Sequence, residues 1–280
     1  MYKQIEDEFG DIIGKARRGQ EIERGALAQR VSLSARDLEK IENYELIPDQ
    51  SVVRGLAEEL NLQADKLQLS AGGHYFPLYP AGRAVEGLVV EMLILGHDFL
   101  MNGYIVGCGE TRKGIIVDPG FEAEKILKAV EAAQLDILQV VLTHGHADHT
   151  GALAEICQAT NSLALVNRED IALLGSLSSK VEGVIGEGES IDVGNQQFAV
   201  KATPGHTPGG VSLVHERVAI VGDALFAGSL GGTRNLGDYQ RQHSAVKNEI
   251  LSLDESVTIY PGHGPATTVA EEKANNPFFL

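Results

Sequence analysis

The period of the apolar positions changes once along this 280-residue chain, near residue 70. Before that point apolar residues recur at helical spacing. Phe9, Ile12, Ile13 and Ala16 form one stripe, Ala26, Leu27 and Val31 a second, Leu38 and Ile41 a third, and Val52, Val53, Leu56, Ala57 and Leu60 a fourth. Ser34 can cap a helix beginning at Ala35, and Pro48 stops continuation before a new start capped by Asp49 or Ser51. Four or five short helices are predicted. Gly and Pro then cluster around Gly72, Gly73, Pro77, Pro80 and Gly82, which marks a linker. Its aromatic residues predict that it packs against a domain. From Gly87 onward short apolar runs at 88–95, 104–106, 114–118, 137–142, 163–166, 198–202, 211–214, 218–221 and 257–260 read as strands. Residues 122–133 and the segment from Gly151 read as helices. The division is residues 1–70 helical, 71–87 linker and 88–280 mixed. Many strands with interspersed helices predict an α+β fold with two sheets covered by helices.

Charge narrows the function. The chain holds 23 basic and 39 acidic residues, a net charge of −16. That opposes bulk attraction to nucleic acid or to an anionic membrane. Cys108 and Cys157 are the only cysteines. Two in this length are no disulfide framework, and they read as small buried hydrophobes in a reducing compartment. The first eight residues are too acidic for a signal peptide, and no apolar run approaches the roughly 18 residues a membrane span needs. The expected location is cytoplasmic, without a membrane partner.

The chemistry gathers at Thr143-His144-Gly145-His146-Ala147-Asp148-His149, between an expected strand and an expected helix. Imidazole nitrogen and carboxylate oxygen are ligands that zinc and neighbouring metals prefer. The carboxyl end of a strand is where α/β sheets place their sites. Three further turns follow strand ends: Thr203-Pro204-Gly205-His206-Thr207-Pro208-Gly209, Gly222-Asp223, and Pro261-Gly262-His263-Gly264. Together these supply five imidazoles and two carboxylates, a set that suits two metals sharing one carboxylate. His74, His97, His215 and His243 fall outside the motifs and read as surface or packing residues. No G-x-S-x-G elbow offers a serine nucleophile.

The order T-H-x-H-x-D-H, P-G-H-T-P-G, G-D, P-G-H-G resembles the metallo-β-lactamase fold, and in particular its short glyoxalase II-like hydrolases. The segment from Gly222 to Ser229 and the tail ending Asn276-Pro277-Phe278 also look like theirs. The resemblance implies an αββα sandwich over about residues 88–280. It implies that His144, His146 and His206 hold one metal, that Asp148, His149 and His263 hold another, and that Asp223 bridges them. Asp148 and Asp223 would be the catalytic carboxylates that orient water. Two divalent ions are implied, zinc first, with iron and manganese open. The implied reaction is hydrolysis of a thioester such as S-lactoylglutathione or a related acylthiol. A sulfur (persulfide) dioxygenase with one iron is the alternative of the same fold. Arg234 and Tyr239, on the stretch between Asp223 and His263, are expected to hold the substrate, with Asn102 on an early loop.

Residues of about 8–68 resemble the helix-turn-helix domain of the lambda-repressor-like, Xre-type family, through Leu27-Ala28, Val31-Ser32-Leu33-Ser34, Leu38, Ile41-Glu42-Asn43, Pro48 and Leu56-Ala57. The resemblance implies DNA contacts from Arg24, Arg36 and Lys40. Ser32 stands where that family usually has glycine, and residues 1–74 hold 10 basic and 14 acidic residues, a balance of −4. A DNA-reading domain normally shows a basic footprint. Two roles stay open for the helices: reading DNA, or docking and homodimerisation. The first would make the chain a regulator whose metal domain senses a metabolite.

Overall fold

The computed structural model describes residues 1–280. Five helices open the chain: α1 (Phe9–Gly19), α2 (Arg24–Arg30), α3 (Ala35–Glu42), α4 (Gln50–Glu59) and α5 (Ala64–Ala71). The Ser34 hydroxyl accepts from Asp37 N and so caps α3, and Asp49 caps α4 by accepting from Ser51 N and Val52 N. In the turn between α2 and α3, Ser32 has φ +58°, a left-handed conformation that glycine adopts most easily.

The first sheet comprises β1 (Leu88–Leu95), β2 (Met101–Cys108), β3 (Lys113–Val117), β4 (Asp136–Val141), β5 (Ala164–Val166) and β6 (Val181–Val184) in that spatial order. Helix α6 (Ala123–Ala133) joins β3 to β4, and α7 (Ala147–Thr150) and α8 (Leu153–Thr160) join β4 to β5. The second sheet is built from β7 (Ser190–Val193), β8 (Gln196–Ala202), β9 (Val211–Val214) and β10 (Val218–Gly222). A small hairpin, β11 (Leu225–Phe226) and β12 (Ser229–Leu230), and helix α9 (Leu236–Ala245) follow. Then come β13 (Thr258–Pro261), β14 (Thr267–Thr268) and α10 (Val269–Asn275). Strand order there is β14-β13-β10-β9-β8-β7, with β10 and β13 parallel.

Alternation along the strands makes the layers. Val218, Ile220 and Tyr260 face inward and pack with Tyr104, Val106, Val117, Val141 and Phe198 between the sheets. Their neighbours Ala219, Val221 and Ile259 point the other way, into a helical layer. Ile126 of α6 and Leu153 and Ile156 of α8 cover the opposite outer face. The order helix, sheet, sheet, helix agrees with the expected mixed fold. The additional strands β6, β7, β11, β12 and β14 have two to four residues each, too short to show a period of their own.

The five N-terminal helices share a core with the rest of the chain. One cluster of 27 buried apolar residues takes 14 from residues 9–67, among them Ile12, Ile13, Leu56 and Leu67. It takes the other 13 from residues 219–279, among them Leu230, Val246, Phe278 and Phe279. Helix α1 lies on α9 and β12, and α5 on α10. The linker is packed, as its aromatics suggested: Tyr75 Oη meets Thr267 Oγ1 at 3.1 Å and donates to Glu272 Oε1 at 3.0 Å.

Candidate metal centre

Strand β4 delivers the first ligand cluster, and Asp118 at the end of β3 fixes it. Asp118 is fully buried. It accepts from Thr143 N at 2.7 Å and from Thr143 Oγ1 at 2.6 Å. It also faces His149 Nδ1 at 3.0 Å. A second buried carboxylate, Asp170, accepts from Gly145 N at 2.9 Å and Gly209 N at 2.7 Å, so it clamps the loop of His144 to the loop of His206. Gly262 is required here because a Cβ would overlap Asp223 Oδ1.

The seven side chains that the motifs single out converge. His144, His146 and His206 present nitrogen atoms within 4.8 Å of one another, and Asp148, His149 and His263 do the same. Asp223 lies between the two sets. Its Oδ2 is 3.3 Å from His206 Nε2 and 3.5 Å from His263 Nε2, and its Oδ1 is 3.4 Å from His149 Nε2. Asp148 Oδ2 is 3.3 Å from His263 Nε2 and 3.5 Å from His149 Nε2.

Outer partners set the tautomers. His206 Nδ1 donates to Gly232 O at 2.8 Å, and His263 Nδ1 donates to Leu100 O at 2.7 Å. His149 Nδ1 donates to Asp118 and His144 Nδ1 to Thr143 Oγ1 at 3.0 Å. These donations leave the Nε2 lone pairs pointing inward. The Nε2 atoms of His149 and His263 then oppose each other at 3.3 Å, an arrangement that a cation or a proton beside them relieves. His144 Nε2 and Asp223 Oδ1 are buried without any hydrogen-bond partner. Buried polar atoms without partners are costly. Orphaned acceptors and apposed lone pairs therefore fit two cations bound within these two sets. Asp118 also comes within 4.8 Å of His144 and His149, but its oxygens are committed to Thr143 and His149, so it orients rather than ligates.

The electrostatics agree. Burial first, and then His149, hold the His144 imidazole well below its ordinary pKa. Burial and His206 lower His146 in the same direction. Burial is the largest single influence on His149 and His263 and opposes their charge, yet Asp223 and Asp118 together raise His149, and Asp223 and Asp148 together raise His263. Asp223 is held well below its ordinary value because His149 and His263 outweigh its burial. The carboxylates thus draw positive charge to the side where the two sets meet.

The residues expected to touch substrate separate. Asn102 is a correction: it is fully buried, and its Nδ2 donates to Pro261 O at 2.9 Å and Gly264 O at 2.8 Å. Its amide holds the His263 loop and does not face a ligand. Tyr239 is half-buried in the helical layer, with its ring against Phe278 and against Gly19 of α1. Arg234 is exposed, two residues beyond the Gly232 carbonyl that receives His206. Of the expected DNA contacts, Arg24 is paired with Glu39 at 2.8 Å and Glu42 at 3.0 Å. Lys40 lies 3.9 Å from Asp37, and Arg36 is exposed on α3. Asp118 and Asp170 were not singled out from the sequence. The only signal for Asp118 was its place at a strand end before Pro119-Gly120, and Asp170 carried none.

Comparison with known proteins agrees with this geometry. Residues 100–263 match the family described as the metallo-beta-lactamase superfamily. The hydroxyacylglutathione hydrolase GloC of Haemophilus influenzae is 34% identical over 187 residues, 60% of this chain and 88% of that protein. The mitochondrial persulfide dioxygenase ETHE1 of Mus musculus is 32% identical over 185 residues, 62% of this chain and 69% of that protein. Among solved structures, the BLEG-1 B3 metallo-beta-lactamase superposes with a TM-score of 0.60 at 30% identity, over 69% of this chain and 100% of that one. TTHA1623 in a di-iron-bound form superposes with a TM-score of 0.58 at 30% identity, over 67% and 99%.

Proposed function

The chain belongs to the metallo-beta-lactamase superfamily, and from that premise we propose that it is a metal-dependent hydrolase acting on a thioester such as S-lactoylglutathione or a related acylthiol. One observation carries the proposal: a buried carboxylate, Asp223, stands between two three-ligand sets, and its Oδ1 and His144 Nε2 are buried without hydrogen-bond partners. In this reading His144, His146 and His206 hold one ion, Asp148, His149 and His263 hold the other, and Asp223 is shared. Bound divalent ions supply a water of lowered pKa and polarise a carbonyl oxygen. Zinc suits the ligand set, and iron and manganese suit it as well. Asp148 and Asp223, acceptors when ionised, hold the protons of the attacking water and so aim its lone pair at the acyl carbon. Asp118 and the carbonyls of Gly232 and Leu100 keep three imidazoles in the ligating tautomer. A thiolate leaves readily, because a thiol pKa near 8.5 makes it a good leaving group without a proton donor. The name of GloC supports the acyl class.

A second reading, persulfide dioxygenation, is supported by the likeness to ETHE1. It needs one iron on a few His and carboxylate ligands and gives Asp148, His149 and His263 no shared task. Metal analysis of the purified protein, with parallel assays of thioester hydrolysis and persulfide-dependent oxygen uptake, separates the two. Oxygen uptake with one iron per chain and no hydrolysis would overturn the hydrolase.

For the N-terminal helices, a DNA-reading role is supported by the left-handed turn at Ser32 and the exposed Arg36. The pairing of Arg24 with Glu39 and Glu42 works against it. Specific duplex binding that weakens steeply with salt and is lost in an R36A/K40A variant would establish it.

A further inference from the structure

The first eight residues run ahead of α1 and cross the rim of the metal centre. Tyr2 Oη donates to Asn102 Oδ1 at 2.9 Å, and Asn102 in turn holds the carbonyls on both flanks of His263. The backbone of Glu6 packs on Gly264, where an added Cβ would lie 2.9 Å from the Glu6 Cβ. At the far end Lys15 of α1 pairs with Asp7 and donates to Leu230 O at 3.0 Å. Its ammonium lies 4.5 Å from the centroid of the Phe226 ring, itself 5.6 Å from the ring of His263. The segment is therefore tied down at both ends beside one ligand.

Between this segment and the turn after β1 lies a cleft of about 450 Å³, a volume typical of small-molecule sites. It borders one ligand through two of its lining residues: the Phe99 ring is 5.0 Å from that of His263, and Leu100 O accepts from His263 Nδ1. Six of its ten lining residues are apolar. Phe99 is 57% exposed and Leu100 39%, so large apolar surface stands open at the mouth. The charged side chains of the lining are Lys3, Glu6 and Asp98, and the α-amino group of Met1 stands with Lys3 against the two carboxylates. A mostly apolar lining whose few charges balance favours an uncharged apolar group over an anionic tail. Biological thiol carriers are mostly anionic, which leaves the acyl half of a thioester as the part that fits. Met1 to Glu6, Ile94, Asp98 and Phe99 precede the span 100–263 matched to the family, and Leu100 opens it.

We propose that residues 1–6 and the segment from Ile94 to Leu100 form an acyl pocket, which selects thioesters carrying an apolar acyl group of several carbons. The proposal rests on the thioester reading for its substrate and on the cleft for its selectivity.

The test uses the full-length, metal-loaded protein and acyl thioesters of one neutral carrier, N-acetylcysteamine, from acetyl to octanoyl. The expected result is a kcat/KM at least tenfold higher for hexanoyl than for acetyl. Gln4→Trp and Ile94→Trp fill the cleft from opposite walls. Each should abolish the chain-length rise while leaving metal content near wild type. A flat series in the wild type, or a rise that survives both substitutions, overturns the pocket and leaves the hydrolase standing. If no thioester is hydrolysed, calorimetry with the S-hexyl thioether of the same carrier decides. Binding to the wild type that both substitutions abolish keeps the pocket and rejects the reaction, whereas no binding rejects the pocket too.

Discussion

Asp118→Asn is the substitution that best tests whether the outer partners make this site. The change keeps shape and removes one charge. Asp118 faces three donors, Thr143 N–H, Thr143 O–H and His149 Nδ1–H. An Asn amide offers one acceptor and one donating NH2. If its oxygen serves Thr143 N, its NH2 faces His149 Nδ1–H and the Thr143 hydroxyl. The site is fully buried, so no water repairs the clash, and an unpaired buried donor costs about 1–3 kcal/mol. The cheapest escape is for His149 to move its proton to Nε2, the atom that faces Asp148, Asp223 and His263. His149 then ceases to be a ligand.

Loss of such an orienting partner typically weakens metal binding by about 10–100-fold, or about 1.4–2.7 kcal/mol. The loss should fall on the set of Asp148, His149 and His263. Chelator-competition titration read by elemental analysis measures it. Combined with His263→Ala, which already disables that set, Asp118→Asn should change little further. Combined with His206→Ala, it should remove the remaining metal. Equal effects of Asp118→Asn in both backgrounds, or full retention of two metals in the single variant, would refute the assignment of Asp118 to His149.

Asp223→Ala should lower the content of both metals, whereas His263→Ala should lower one, as elemental analysis after metal-replete expression will show. Asp170→Asn should unfasten the loops of His144 and His206, which it clamps through Gly145 N and Gly209 N, and should weaken the His144-His146-His206 set most. The buried Glu272 makes stability depend on pH. Burial raises its pKa from the ordinary 4.5 to about 7 against the pull of Asn276, Thr267, Gly228 and Tyr75. A folded-state pKa above the unfolded one contributes stability below about pH 4.5 that is lost as pH rises through about 7. Glu272→Gln should therefore flatten the change in Tm between pH 5 and pH 7, and an unchanged slope would show that another group titrates there.

How much of this was legible in the sequence follows from what each residue does. His144, His146, Asp148, His149, His206, Asp223 and His263 stood out because metal-ligand chemistry on Gly- and Pro-fixed turns is unusual, and they do converge in space. Asp118 and Asp170 did not stand out, since a carboxylate that only orients backbone and imidazole has no spacing of its own. Asn102 was misread because an amide that binds a substrate and one that braces a loop are the same residue type. Burial separates them, and burial at a single polar position leaves no periodic trace. The long strands showed in their apolar runs, and the two-residue strands could not.

The joining of the two halves was the hardest feature to see, and it sets the last prediction. A helix that buries one face in its own bundle and a second against a sheet shows the same 3.6 period as a helix in a free domain. The Gly- and Pro-rich stretch near residues 71–82 therefore read as a packed linker between two modules. In the structure that stretch is pinned: Leu78 N donates to Glu271 Oε1 at 2.7 Å, and Ala266 N donates to Pro80 O at 3.0 Å. Helix α5 also holds the C-terminus, with Lys66 Nζ donating to Lys273 O at 2.6 Å and Phe279 O at 2.7 Å. A chain starting at Gly82 would lose the partners of Leu230, Phe278 and Phe279, which are 2–4% exposed. Exposure costs about 1.5–3 kcal/mol for each such side chain, against a total stability of about 5–15 kcal/mol. It would also lose Tyr2 and Glu6 from the rim beside His263. That truncation should aggregate or melt at least 15 °C lower, and its metal content should fall with its folded fraction. A soluble, two-metal truncated protein with the wild-type Tm would show that the shared core contributes little, and that the helices are cargo on an independent metal domain.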